Sequence, residues 1–365
     1  MSALFRLKQA DTYNEARSQL STRIKELNHS ADFNSYVVSN VGYDSSQAIA
    51  CLQNSRKLLR ESERTESFAS YCDFIHELRE LQVTDIVPLK DLMNTISSER
   101  RLISLRYDID MDHDTALRMA RYNARYGICG SFFILHTAYY YGMWKSGVFC
   151  RNPDLSQFIR ELIVTGCEIG LHTDPLSIYI EHGVDGATAL QQELDWLRSQ
   201  GARVYGTVAH NSFPVYGAEN FEVFKGRVIG SRSHLVYKDR SVPLGLLNEQ
   251  ELGLTYEGNY PLTAKKLRAD LISEWTQRTD AKAVLDEDWM KTYLLQNPCF
   301  QRCYDAVVWN HGNGRWTFAR TVPATQNEWG WQLTVANVIS KLMEMPHGTR
   351  SVIVIHPINF SAEMF

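Results

Sequence analysis

Hydrophobic residues in the first part of the chain recur at steps of three and four, a spacing typical of amphipathic helices. Leu20, Ile24 and Leu27 show this spacing near the N-terminus, and a further helix is predicted through residues 74–81. This part of the chain carries no recognisable catalytic constellation. We therefore predict a helical N-terminal region over residues 1–98, which would suit docking onto a partner or formation of a homo-oligomer.

From residue 99 onward the pattern changes, and short apolar runs alternate with helical segments. The predicted strands are 102–107, 130–135, 167–171, 204–209 and 351–355, and the predicted helices are 112–126, 154–165 and 187–200. Short apolar runs are typical of strands buried in a parallel sheet, and their alternation with helices indicates an α/β fold. We predict one domain over residues 99–365, built on a parallel sheet or barrel.

Composition narrows the classes of partner. The 365 residues are 44% hydrophobic, which is enough for a sizeable core, and the net charge of -4 comes without a basic stripe for nucleic acid. No run reaches the roughly 18 uncharged apolar residues that a membrane span needs, and the charged N-terminus does not resemble a secretory signal. The seven cysteines form no Cys-x-x-Cys pair, which favours free thiols in a reducing compartment. We therefore predict a cytoplasmic protein.

Acidic, amide and histidine side chains follow four of the predicted strands, at the point where each strand ends. They are Asp108 and Asp110 after the first strand, His172 and Asp174 after the third, His210 and Asn211 after the fourth, and His356 after the last. The carboxyl ends of parallel strands meet at one edge of a sheet or barrel. We expect these side chains to gather there and to form the functional site.

Asp108 and Asp110 are separated by one residue, so in an extended segment their side chains point the same way. Two neighbouring carboxylates repel each other unless a cation or a shared proton compensates them. A divalent metal held by one carboxylate and by histidines would leave the other carboxylate free to act as a base. Zinc binds three such ligands and a water, whose pKa it lowers to about 7. The alternative is that the pair only caps helix 112–126, for which Asp112 is the better placed residue.

Three segments resemble conserved motifs of the polysaccharide-deacetylase (NodB-like) superfamily. Residues 105–110, Leu-Arg-Tyr-Asp-Ile-Asp, resemble its first motif, in the branch where that motif reads Arg-His-Asp-Val-Asp. Residues 166–173, Gly-Cys-Glu-Ile-Gly-Leu-His-Thr, are similar to its Gly-His-Glu-Ile-Gly-x-His-Ser/Thr motif. Residues 354–357, Val-Ile-His-Pro, resemble its closing strand. The segments follow the family's order across residues 100–358.

The resemblance implies a distorted (β/α) barrel with fewer than eight strands and a metal-dependent hydrolase. The substrate would be an N-acyl amide, in the first instance N-acetyl, on a sugar or glycan precursor. By the resemblance, Asp108 is the general base towards a metal-bound water, and Asp110 and His172 are metal ligands. His356 is then the general acid that protonates the leaving amine. Zinc is the expected metal, and cobalt, manganese or nickel would suit the same ligands.

The chain departs from the family at the third metal ligand. The family usually has a second histidine four residues after the first, where this chain has Leu176. His210, in a segment similar to the His-Gly-Ser segment of the same branch, would complete an Asp-His-His set, although Asn211 replaces the glycine. Asp174 is the alternative third ligand. These departures leave open a degenerate, non-catalytic domain that binds a glycan or a nucleotide sugar.

Four side chains are candidates for contact with a substrate: Asp174, Asn211, Arg315 and Trp316. The last two belong to residues 310–316, which resemble an Asp-x-Gly-Arg-x-Trp stretch of the same branch with Asn310 in place of the aspartate. Large aromatic residues can stack on sugar faces, but packing in the core is their commoner use.

Overall fold

The computed structural model describes residues 66–95, 99–145, 148–210, 218–228, 232–237, 239–259, 304–312, 314–320 and 328–360. The helices predicted before residue 66, and Asn211, lie outside the described residues. None of the helices in the described ranges is long and apolar enough to cross a membrane.

The described residues form strands and helices that alternate along much of the chain. The strands are β1 (Thr84–Ile86), β2 (Arg101–Ile109), β3 (Ser131–Leu135), β4 (Gly142–Lys145), β5 (Val148–Arg151), β6 (Glu168–Thr173), β7 (Gly206–Ala209), β8 (His234–Tyr237), β9 (Arg240–Pro243), β10 (Tyr256–Glu257), β11 (Ala306–Asn310), β12 (Trp316–Arg320), β13 (Glu328–Leu333) and β14 (Arg350–Ile355). The α-helices are α1 (Phe68–Arg79), α2 (Leu89–Asn94), α3 (His113–Arg125), α4 (Leu155–Val164), α5 (Pro175–Ser177), α6 (Gly186–Ser199) and α7 (Val335–Glu344). A π-helical turn (Ile178–His182) continues α5, and single 3₁₀ turns span Asn220–Val223 and Pro357–Asn359.

One large sheet organises the molecule. Its strand order is β10-β7-β6-β3-β2-β14-β11-β12-β13, and β1 pairs with the first residues of β2. The pairs from β10 to β11 are parallel, and β12 and β13 extend the sheet in antiparallel fashion. The predicted α/β class with a mostly parallel sheet is therefore confirmed. The described strands leave the sheet open at β10 and β13, so the predicted barrel is not confirmed.

Strand β2 lies near the centre of this sheet, between β3 and β14. Its residues from Leu102 to Ile109 are all buried, as expected for a largely apolar run in a parallel sheet. Pairing aligns Tyr107 with Ile355, and His172 with both Leu135 and Val208. This register brings the carboxyl ends of β2, β6, β7 and β14 to one edge of the sheet.

Helix α3 begins immediately after β2, and its cap is the predicted one. The Asp112 carboxylate accepts hydrogen bonds from the Thr115 N–H at 3.1 Å and from the Thr115 hydroxyl at 2.8 Å. The helix ends before Gly127, whose φ of 69° is a left-handed conformation that favours glycine. Because Asp112 caps the helix, the carboxylates of Asp108 and Asp110 are left for other contacts.

The described residues before position 98 share the core of the sheet. Helix α1 buries Tyr71 and Phe74 in the same hydrophobic cluster as Trp316 of β12. Strand β1 pairs in parallel with β2, although the sequence pattern predicted only helices in this region. Residues 66–95 thus contribute a strand to the sheet and side chains to its core.

Candidate metal centre

Three side chains at the carboxyl ends of β2, β6 and β7 form a cluster that could hold a metal ion. Asp110 follows β2, His172 lies in β6, and His210 follows β7. One potential ligand atom from each of them lies within 4.8 Å of the other two. The backbone N–H of His210 donates to the Thr173 carbonyl at 2.8 Å, which fixes His210 beside the end of β6.

Asp110 has a buried carboxylate oxygen that accepts no hydrogen bond. This oxygen, Oδ1, lies 3.3 Å from His172 Nε2. Burial alone would raise the pKa of Asp110, but the His172 and His356 rings in their protonated form outweigh burial and hold that pKa well below its ordinary value. A buried anionic oxygen without a donor is costly unless a cation compensates it, so this observation fits a bound metal ion.

His172 is oriented by its other ring nitrogen. Its Nδ1 lies 2.8 Å from the Val208 carbonyl oxygen. Because a carbonyl only accepts, this contact places a proton on Nδ1, so in the neutral ring the lone pair of Nε2 faces Asp110. Metal-binding histidines in proteins are usually held in this way by a carbonyl or carboxylate behind the ring.

His210 is held in a similar way by Asp174. The distance from His210 Nδ1 to Asp174 Oδ2 is 3.3 Å, and the His210 ring meets the His172 ring edge-on at a centroid distance of 5.1 Å. Asp174 is buried, and it accepts hydrogen bonds from Thr137 at 2.7 Å, from Asn220 at 2.9 Å and from the Ser177 hydroxyl. Of the two alternative third ligands, the cluster contains His210, and Asp174 lies behind it.

Asp108 is paired with Arg106 on the same face of β2. Arg106 donates from Nε to Oδ1 at 2.7 Å and from Nη2 to Oδ2 at 2.6 Å, a bidentate pair buried on both sides. Burial alone would raise the pKa of the Asp108 carboxyl, but the guanidinium outweighs it and holds that pKa below its ordinary value. Asp108 Oδ2 also lies 3.8 Å from His172 Nε2, so an ionised carboxylate borders the cluster.

His356 also borders the cluster. It follows β14, and its Nε2 lies 3.7 Å from Asp110 Oδ2. Its side chain is 27% exposed, whereas that of His172 is 3% exposed. His356 is thus the most exposed of these side chains, followed by His210 at 20%.

Two side chains near the cluster were not singled out as site residues by the sequence pattern. Arg106 stands two residues before Asp108, and the alternation of a strand was the signal that could have placed both on one face. His136 follows β3, and its Nε2 accepts a hydrogen bond from the Asp174 backbone N–H at 2.7 Å. Burial lowers the pKa of His136 to about 4, so its ring is neutral at physiological pH.

Two of the predicted substrate contacts lie in and beside strand β12. Trp316 is only 1% exposed and packs against Phe74 at a ring-centroid distance of 4.8 Å, so the structure places it in the core instead of at a substrate surface. Arg315 lies in the turn between β11 and β12, where its N–H donates to the Gly312 carbonyl at 3.1 Å.

The residues at this edge of the sheet fit a divalent cation. One carboxylate and two imidazoles are a donor set that zinc binds with an open position for water, and other divalent transition metals accept it too. The unpartnered Asp110 oxygen and the oriented His172 ring match what a metal would require.

Comparisons with known proteins identify no related protein. No protein-family model matches the sequence. Searches of curated proteins and of solved structures find no significant match either.

Proposed function

We propose that this chain is a metal-dependent hydrolase that cleaves an N-acyl amide on a sugar or glycan precursor. The acyl group that we expect first is acetyl. One observation carries the proposal: the cluster of Asp110, His172 and His210 is flanked by an ionised carboxylate, Asp108, and by an accessible imidazole, His356. The resemblance of residues 105–110 and 166–173 to deacetylase motifs supports an amide as the bond that is cleaved.

The flanking residues divide the proton transfers of such a hydrolysis between them. A divalent ion, when bound, supplies a water of lowered pKa and polarises the acyl carbonyl. Asp108 accepts the proton of the attacking water, and its pairing with Arg106 keeps its carboxylate ionised and in a fixed orientation. His356, whose Nε2 lies 3.7 Å from Asp110 Oδ2, would donate a proton to the leaving amine.

The experiment that tests the proposal begins with the metal content of the purified chain by elemental mass spectrometry. We expect one divalent ion per wild-type chain, and its loss from Asp110→Ala, His172→Ala and His210→Ala. The exposed histidine of α1 provides a matched control, and His76→Ala should retain the ion. Absence of metal from the wild type, even after soaking with zinc or cobalt, would overturn the proposal.

The second stage separates metal binding from chemistry. Asp108→Asn should retain the ion but release acetate from N-acetylated sugars at a rate lower by about 100-fold or more, because general-base catalysis contributes about 10²–10⁴-fold. An unchanged rate in this variant would contradict the role of Asp108. The readout is acetate released per chain from a panel of N-acetyl sugars and nucleotide sugars.

A second candidate function is binding of a glycan or nucleotide sugar without turnover. The observation that favours it is Leu176, which is buried at the position where the related motif carries a ligand histidine. This candidate predicts saturable sugar binding by calorimetry and no acetate release at any metal loading. The hydrolase proposal predicts release that depends on the metal.

The proposed setting is a reducing compartment, the cytoplasm. The cysteine thiols of Cys72, Cys129 and Cys167 are free in the described part of the chain, and burial raises the pKa of each. Such thiols are protonated at neutral pH and react slowly. This proposal predicts that the chain keeps its thiols reduced when it is isolated from cells under alkylating conditions.

A further inference from the structure

The side-chain amide of Asn259 contacts two parts of the candidate metal centre, Arg106 beside Asp108 and the backbone beside His210. It lies two residues after Glu257, the last residue of the edge strand β10. Its Oδ1 accepts a hydrogen bond from Arg106 Nη1 at 2.5 Å, and its Nδ2 donates to the Ala209 carbonyl at 2.6 Å. One amide therefore contacts the arginine that holds Asp108 and the peptide that precedes His210.

On the His210 side, Glu257 and Asn259 contact the backbone of Ala209, one at its N–H and the other at its carbonyl. The Ala209 N–H donates to Glu257 Oε1 at 2.7 Å, and the Ala209 carbonyl accepts from Asn259. The backbone N–H of Asn259 in turn donates to Glu257 Oε2 at 2.8 Å, which links residue 259 to the Glu257 side chain. Because His210 is the next residue after Ala209, these hydrogen bonds fix the backbone that carries the third side chain of the cluster.

On the Asp108 side, Asn259 gives an acceptor to the third nitrogen of a buried guanidinium. Arg106 directs Nε and Nη2 at the Asp108 carboxylate, and Nη1 remains for Asn259. A buried arginine whose donors lack acceptors would shift towards other partners, and the bidentate geometry on Asp108 would be lost. A misplacement of about 1 Å at a reacting group can cost about 100-fold in rate.

We infer that Asn259 is a positioning residue that aligns Asp108 through Arg106 and the His210 ligand through Ala209. The inference rests on the proposed function, since it assigns Asn259 to the same site. Neither atom of its amide touches the metal ligands themselves in the contacts described above. Its effect is therefore expected on metal affinity and on turnover as two separable quantities.

The experiment is a cobalt titration of the full chain, followed by its visible absorption, with acetate release measured at saturating cobalt. Asn259→Ala removes both contacts and should weaken cobalt binding and lower kcat by about 10- to 100-fold each, the range for residues that orient ligands. Asn259→Asp retains an acceptor for Arg106 but has no donor for the Ala209 carbonyl. It should weaken cobalt binding like the alanine variant while its kcat at saturating cobalt stays close to that of the wild type.

A matched control comes from the other face of β2. Asn123 is also a buried asparagine, and it hydrogen-bonds the hydroxyls of Tyr107 and Tyr71. Tyr107 points away from Arg106 and Asp108 because successive residues of a strand face opposite sides. Asn123→Ala should therefore lower stability without a change in cobalt affinity or in kcat.

The outcomes are distinguishable. Cobalt affinity and kcat that match the wild type in Asn259→Ala would overturn the inference and leave the proposed function intact. Equal losses in Asn123→Ala and Asn259→Ala would also overturn it, because they would indicate general loosening of the sheet. A wild-type chain that binds no cobalt would overturn the proposed function, and the inference with it.

Discussion

Asp174 is a buried carboxylate that contacts His210, one of the three side chains of the candidate metal centre. Its Oδ2 faces His210 Nδ1 at 3.3 Å, while Thr137, Asn220 and Ser177 donate hydrogen bonds to its two oxygens. These donors fix the carboxylate, and the carboxylate in turn selects the ring orientation of His210. Carboxylates behind metal-bound histidines also raise the basicity of the ligand.

We therefore expect Asp174→Asn to weaken metal binding by about 10- to 100-fold without removing any ligand. The measurement is a zinc titration against a competing chelator. Asp154→Asn is the control, because Asp154 is an exposed aspartate that makes no capping hydrogen bond at the start of α4. Equal affinity in Asp174→Asn and the wild type would show that His210 is held by other contacts.

His136 makes stability depend on pH. Burial lowers its pKa to about 4 from an ordinary value of 6.5. Between these values the unfolded chain binds a proton that the folded chain does not, so acid favours unfolding. The His136 contribution to stability is present above pH 6.5 and is lost as the pH falls towards 4, by about 3 kcal/mol in total.

The test of this contribution is His136→Gln, whose side-chain oxygen can still accept the Asp174 N–H. Urea unfolding in the presence of a chelator at pH 7 and at pH 4 should give a smaller acid destabilisation in the variant, by about 3 kcal/mol. His76→Gln should unfold like the wild type at both pH values, because this ring is exposed to water when folded and when unfolded. Parallel pH profiles for His136→Gln and the wild type would contradict the assignment.

At the scale of single residues, position after a strand was the informative signal. Asp110, His172 and His210 each follow or end an apolar run, and the parallel sheet brings them together. Trp316 was predicted as a substrate contact because its neighbours resemble a motif. Its burial depends on Phe74, which lies far away in the sequence, and no local pattern reveals such a contact.

At the scale of elements, helix α1 packs on the sheet through Phe74. Phe74 is 1% exposed and stacks in a tilted arrangement on Trp316, so the helix adds a core surface to β12. We expect Phe74→Ala to lower the free energy of unfolding by about 3–5 kcal/mol, since it removes a large buried ring. Urea unfolding curves would show this as a lower midpoint with an unchanged slope.

The control for this helix is Glu77→Ala, because Glu77 lies on the exposed face of α1. Its free energy of unfolding should stay within about 0.5 kcal/mol of the wild type. A Phe74→Ala variant as stable as Glu77→Ala would mean that α1 packs too loosely to belong to the core of the sheet.

Periodicity predicted the elements well where one period dominates. The buried run of β2 and the helix α3 with its Asp112 cap were both predicted close to their observed bounds. β1 was not predicted, since a strand of only three residues has too few positions to show an alternation. Its strand character comes from pairing with β2, which is a tertiary contact.

At the scale of the whole molecule, the strand order could not be derived from the sequence. β14 is the last strand among the described residues, yet it pairs between β2 and β11 at the centre of the sheet. β12 and β13 then run antiparallel, which the parallel α/β pattern did not predict. These pairings join segments far apart in the chain, and only the folded core decides between alternative partners.

This topology gives a bound metal a role in stability. The three candidate ligands lie at the ends of β2, β6 and β7, so one ion would link three segments of the chain that separate on unfolding. Free zinc at about 1,000 times its Kd should raise the free energy of unfolding by about 4 kcal/mol, and a chelator should reverse the gain. Thermal unfolding with and without zinc would measure this gain.

Two variants serve as controls for the zinc effect. His172→Ala retains all the cysteines that could bind zinc in the unfolded chain, so any loss of stabilisation in this variant reports the loss of the folded site. His76→Ala should be stabilised by zinc as much as the wild type is. A midpoint that zinc leaves unchanged in the wild type would mean that the folded chain does not bind the ion more tightly than the unfolded one.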